Sequence, residues 1–137
     1  MDKKIFTLEE ANALLPELKA DLLELQRLSS RFEELYEELR EKKARRAASA
    51  VQTAEAGDPY FEEEIRLDFM KMEVDLLIGN FERKGVLLKM IRPGLIDFPA
   101  VMDDEPVLIC WKEGEERISH YHGWNDGFIG RKPIPGA

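Results

Sequence analysis

"NFERKGVLLKMIRPGLIDFPAV", residues 80–101, decides the fold. Up to Gly85 the apolar residues recur every three or four positions. Beyond it they fall into short runs rich in Val, Ile, Leu and Phe, broken by "RPG". The first spacing belongs to a helix and the second to strands, so the chain changes from helical to β at Gly85. Gly85 follows the charged "ERK" and suits the end of a helix, because glycine readily takes the left-handed backbone that closes one.

Working back from that switch, the spacing predicts a helix over 58–84, with Phe61, Ile65, Phe69, Met72, Leu76 and Phe81 as its apolar stripe and Met70, Leu77 and Ile78 beside them. Glu62, Glu63 and Glu64 fall in its first turns, where the helix dipole favours acids. Met70 and Met72 read as packing, not as a ligand pair. "GDP" at 57–59 is a stop, and the alanine-rich stretch before it carries no apolar period. A longer helix is predicted over 6–47. Thr7 and Glu10 are spaced for a reciprocal capping box, with Phe6 and Ala11 placed for the hydrophobic staple around it. Ala11, Leu15, Leu18, Leu22, Leu25, Ser29, Phe32, Tyr36 and Leu39 then recur in alternating steps of four and three, a heptad-like seam. Pro16 inside the pattern should bend the helix or leave a carbonyl unpaired near Asn12. The basic run Lys42, Lys43, Arg45 and Arg46 suits the negative end of the dipole and lacks the interleaved aromatics of a nucleic-acid patch.

Forward from Gly85, "VLLKMI", "GLIDFPAV", "EPVLICW" and "RISHYH" are separated by turn-forming clusters, which predicts a three- or four-stranded antiparallel meander over 85–123. The tail, 124–137, is too rich in Gly and Pro for regular structure, yet Trp124, Phe128 and Ile129 should pack back on the rest. The expected fold is therefore α+β in one domain, 1–137: a long N-terminal antiparallel helical hairpin, coiled-coil-like, then a small C-terminal antiparallel β-meander and an irregular tail. Two helices cannot cover wide stripes against each other alone, so a homodimer through the helices is expected.

The chain has 137 residues, a formal charge of −8 and a pI near 4.9. That balance argues against nucleic acid and anionic membranes as partners. The single cysteine, Cys110, rules out an internal disulfide and leaves no sign of an oxidising compartment. No segment approaches a membrane span, and the start lacks the apolar stretch of a signal peptide, so a cytoplasmic protein is expected.

Several stretches together resemble a bacterial family known as domain of unknown function 2203. They are Phe6, Glu10 to Asn12 and Leu14 to Pro16 at one end, then "GLIDFPA" at Gly94 to Ala100. Cys110 with Trp111, Gly114 with Glu115, His122, and Gly127, Phe128, Gly130 and Arg131 follow in the same order. The chain departs from the family pattern at Tyr121 and Gly123, where that pattern carries Trp and Glu. The resemblance implies a small bacterial cytosolic protein and carries no activity with it.

Chemistry, if the chain has any, sits in the meander. His120 and His122 are two apart, so on a strand they point to one side. Asp97, Glu115 and Asp126 supply carboxylates nearby, with Glu113 in the same turn as Glu115. Two imidazoles with one or two carboxylates suit Zn, Fe or Mn. The alternative leaves His120 exposed and His122 hydrogen-bonded within the sheet. Asp97 faces away from its neighbours Ile96 and Phe98, and if covered it needs a partner. An Arg131 pair with Asp97 or Glu115 would pin the tail; alternatively Arg131 and nearby backbone N–H groups would form an anion pocket. Cys110, in an apolar strand, reads as a small buried hydrophobe more than as a nucleophile. No cofactor-binding motif is present. The leading reading is a non-enzymatic homodimeric interaction or scaffold protein that meets an unknown protein partner through its hairpin. The alternative is a divalent-metal-binding enzyme or sensor with a His/carboxylate site on the sheet.

Overall fold

The computed structural model describes residues 4–48 and 58–137. Helix α1 runs from Leu8 to Ala48 and helix α2 from Phe61 to Arg83. A five-stranded antiparallel sheet follows, in chain order: β1 (Leu87–Met90), β2 (Leu95–Met102), β3 (Glu105–Lys112), β4 (His120–His122) and β5 (Lys132–Pro133). The α+β class, the helical hairpin and the meander are as the sequence predicts. The "GDP" stop begins at Gly57, outside the described residues.

Helix α1 opens on the predicted box: the Thr7 N–H donates to Glu10 Oε1 at 2.9 Å, and the Glu10 N–H to Thr7 Oγ1 at 3.0 Å. Helix α2 returns antiparallel beside it. Lys42 and Lys43 of α1 meet Glu63 and Glu64 of α2, and Lys84, just past α2, meets Asp21 and Glu17. The basic run is thus in part the counter-charge to the acidic start of α2.

The seam of α1 does two jobs. Ala11, Leu15, Leu18, Leu22 and Leu25 lie in one core with Phe6, Phe81, Val86 and the sheet residues Ile96, Phe98, Ala100, Val107, Ile109, Trp111 and Ile118. Leu39 of α1 and Leu67 and Met70 of α2 are buried outside that core. So the first half of the seam covers the sheet, while of the second half only Leu39 is buried and Tyr36 is exposed. Gly94 permits this approach, since a Cβ there would come within 2.3 Å of Leu22 Cδ2.

Three expectations are corrected. The apolar stripe assigned to α2 is, apart from Phe81, its outer face: Phe61, Ile65, Phe69, Met72 and Leu76 are exposed, while Leu67, Met70 and Phe81 are buried and Val74 and Leu77 pack partly against the core. Helix α2 is apolar on two sides, and periodicity does not say which side meets the neighbour. The tail is not wholly irregular, for Lys132 and Pro133 add the fifth strand, pairing with Tyr121 and His120. Ile129 does not pack back, being 98% exposed; Ile134 takes that place against the core. No helix among the described residues is long and apolar enough to cross a membrane.

Candidate metal centre on the outer face of the sheet

The strands alternate, so each gives one row to the helices and the other to the opposite side. On β2 the helix-facing row is Ile96, Phe98 and Ala100; on β3 it is Val107, Ile109 and Trp111. Register then assembles the outer row. Asp97 lies opposite Cys110, Cys110 opposite His120, and Leu108 opposite His122. The turn between β2 and β3 that sets this register has Asp103 and Asp104 at φ 51° and 64°, a hairpin turn in which both central residues are left-handed.

Three of these outer side chains converge. One ligand atom each from Asp97, Cys110 and His122 lies within 4.8 Å of the other two, and all three residues are buried. His122 Nε2 is 3.2 Å from both carboxylate oxygens of Asp97. Its other nitrogen, Nδ1, is 2.9 Å from the Gly123 carbonyl oxygen, which can only accept. Nδ1 therefore carries the proton, and a neutral ring would turn the Nε2 lone pair toward a carboxylate. Two acceptors at that distance need a proton or a cation between them. Burial first, and then the negative charge of Asp97, push the Cys110 thiol up to about 12, against a smaller lowering by Arg131. An uncoordinated Cys110 is thus protonated at neutral pH and a poor nucleophile; bound to a metal ion, such a thiol gives up its proton.

A second cluster adjoins the first. Arg131 forks onto Glu115, with Nη1 at 3.2 Å from Oε1 and Nη2 on Oε2, and Nη1 also points at Cys110 Sγ from 4.0 Å. Glu115 accepts the Lys112 N–H at 2.7 Å, and its own carbonyl accepts the Trp111 indole N–H at 2.8 Å. Burial pushes Glu115 up, but Arg131 and the Lys112 N–H outweigh it and hold the carboxyl below its ordinary value. The Arg131 guanidinium also stacks over Phe128, 4.7 Å from the ring centre.

The five proposed ligands are therefore divided. Asp97 and His122 meet. His120 turns to Ser119, with its Nδ1 3.0 Å from Oγ, and lies 3.9 Å from Glu115. Glu115 is taken by Arg131. Asp126 accepts the Gly123 N–H at 3.2 Å in the turn after β4. Of the two pairings offered for Arg131, the structure has the one with Glu115. Cys110 enters the cluster although it read as a plain hydrophobe. What signals it is its position: it shares the outer row with Asp97, and only the strand register brings the two together.

A cavity of about 220 Å³ opens beside Asp97, Cys110 and His122, walled by Leu108, Trp124 and Phe128. Gly127, also on its wall, has φ 64° and ψ −178°, a conformation nearly restricted to glycine, and it starts the 3-10 turn Phe128–Gly130 that carries Phe128.

A family model described as "Uncharacterized conserved protein (DUF2203)" matches residues 4–134. The chain belongs to this family. No curated protein and no solved structure matches it. In this DUF2203 chain Asp97, Cys110, Glu115, His122 and Arg131 all fall within the stretches on which the resemblance rests. The two departures flank His122. Tyr121 turns toward the core on the opposite side of β4, and Gly123 supplies the carbonyl that His122 binds. A side chain at Gly123 would press on Asp126 Oδ2, whose distance from a built Cβ is 2.6 Å.

Proposed function

We propose that this protein binds one divalent transition-metal ion, zinc in the first instance, through Asp97, Cys110 and His122. The observation that carries the reading is the buried convergence of a thiol, an imidazole and a carboxylate within 4.8 Å. A four-coordinate zinc ion with bonds of about 2.0–2.3 Å sets its ligand atoms roughly 3.5 Å apart, so closing on a metal needs only small movements. A thiolate with an imidazole favours zinc over the harder magnesium or calcium, and Fe or Mn would call for more oxygen ligands. The Nδ1 bond to the Gly123 carbonyl is the kind of outer contact that orients a ligating histidine and leaves Nε2 for the metal. Three protein ligands beside a cavity leave a fourth position for water or a ligand, the arrangement of a working site more than of a purely structural one.

Metal content by elemental mass spectrometry tests this, on untagged protein prepared without chelator. Near-stoichiometric zinc is expected in the wild type and in His120→Ala, with loss in Asp97→Asn, Cys110→Ser and His122→Ala. Metal-free wild type that also gains no thermal stability from added zinc would sink the reading. So would retention of zinc by both Cys110→Ser and His122→Ala.

A second reading rests on a separate observation, the exposed apolar row of α2, and makes a second copy of this chain its occupant. Residues 61, 65, 69, 72 and 76 read nearly the same in either direction. An antiparallel copy related by a two-fold axis near Phe69 sets Phe61 against Leu76 and Ile65 against Met72. A self-matching patch is what an isologous dimer requires. The row spans about 23 Å of helix. Analytical ultracentrifugation at micromolar concentration should show a dimer that Phe69→Glu converts to monomer. A monomeric wild type removes this reading and leaves the metal proposal untouched.

A further inference from the structure

We infer that the cavity over Asp97, Cys110 and His122 receives a small monocarboxylate with an apolar body, its carboxylate at Lys89 and its body reaching toward the metal. The inference rests on the metal reading above.

Charge counting comes first. A divalent ion with the Cys110 thiolate and the Asp97 carboxylate sums to zero, so the metal centre presents no net charge to a ligand. Arg131, next to the centre, is neutralised by the buried fork onto Glu115. Lys89 is the one cation lining the cavity, and it makes no ion pair or hydrogen bond among the described residues. A single unmatched positive charge at the mouth selects a monoanion; a phosphate dianion would want a second cation or several N–H donors.

Backbone geometry puts Lys89 there. The pairing of β1 with β2 slips between Leu88 and Met90, so Lys89 is the extra residue of a bulge. Alternation from Leu87, the partner of Asp97, already puts Lys89 on the outer face, and the bulge leaves it outside the regular pairing of this edge strand. The walls decide the rest of the ligand. Leu95, Leu108, Trp124 and Phe128 offer apolar and aromatic surface and little to hydrogen-bond. The volume, about 220 Å³, equals roughly seven waters, room for a body the size of a single aromatic ring. Apolar walls with one charged anchor are the usual make-up of a small-molecule site.

The test loads the full chain with Co²⁺, whose visible spectrum reports both a coordinated thiolate and any change at the open position. Benzoate and its neutral counterpart benzamide are then titrated in. Benzoate is expected to perturb the spectrum and saturate, benzamide to bind at least about fivefold more weakly, and Lys89→Met to weaken benzoate by about fivefold. Cobalt content measured in the same samples separates loss of ligand from loss of metal. If Co²⁺ binds but neither probe does, or benzoate and benzamide bind alike, or Lys89→Met leaves benzoate unchanged, the inference fails while the metal reading stands. If the wild type shows no thiolate–cobalt band, the metal reading has failed and this inference falls with it.

Discussion

The face of the sheet turned to the helices and the face turned to the tail are built from alternate residues of the same strands, yet they hold different chemistry. The helix side is apolar throughout, and α1 lays Leu15, Leu18, Leu22 and Leu25 over it. The other side buries an aspartate, a cysteine and a histidine under a tail that starts at Trp124. The first is the low-cost way to cover a sheet, since apolar area leaves water without needing partners. The second costs free energy for every polar group not matched, and all three groups there are more than 95% buried. The helix side thus carries most of the apolar burial, while the tail side carries the buried polar groups.

That contrast can be broken most sharply from the helix side. Phe98 is fully buried and meets Phe6 edge to face at 5.4 Å. Phe98→Ala should lower unfolding free energy by about 3–5 kcal/mol, read from urea denaturation. A loss below about 1 kcal/mol would mean that this face is not the main source of stability.

A smaller effect belongs to the tail's own anchor. The Glu115 carboxyl lies below its ordinary value in the folded chain, because Arg131 and the Lys112 N–H outweigh the effect of burial. A group lowered by folding adds stability above its unfolded value, about 4.3 for glutamate, and that contribution is lost as pH falls through the folded value. Glu115→Gln should therefore cost about 1–3 kcal/mol at pH 7, and the gap to wild type should narrow as the pH drops below about 4. Urea midpoints across that range decide it; a gap that stays constant with pH would show that the Arg131 pair does not pin the tail.

The smallest effect sharpens the comparison within the tail itself. Ile129 is 98% exposed, so Ile129→Ser should shift stability by no more than about 0.5 kcal/mol and leave metal content unchanged. A larger loss of stability would show that Ile129 is covered in solution, by a second copy or by a partner.

Reading from the chain alone went furthest where the physics is local. The capping box at Thr7 and Glu10, the two helices and the change to strands at Gly85 are all set by neighbours within a few residues. The outward turn of Asp97 follows from strand alternation alone. The faces of α2 were another matter. Phe61, Ile65, Phe69, Met72 and Leu76 form as regular a row as Leu67, Met70, Val74, Leu77 and Phe81, and spacing does not tell which row meets α1.

The site divides along the same line. Two histidines in "HYH" advertise a shared ligand pair, and alternation does put both on one side of β4. What separates them is register: His120 lies beside Cys110 and turns to Ser119 and Glu115, while His122, beside Leu108, reaches Asp97. Cys110 joined the cluster by the same means, as the cross-strand partner of Asp97, 13 residues away in the chain. Local sequence determined the two helices, the α1 cap, the first four strands and the two-sided pattern of the strands, because those depend on backbone preference and short-range spacing, whereas the fifth strand came from pairing with β4. Which side chains meet across strands, and which apolar row is covered, were decided only by tertiary packing, because both depend on pairings between segments far apart in the chain.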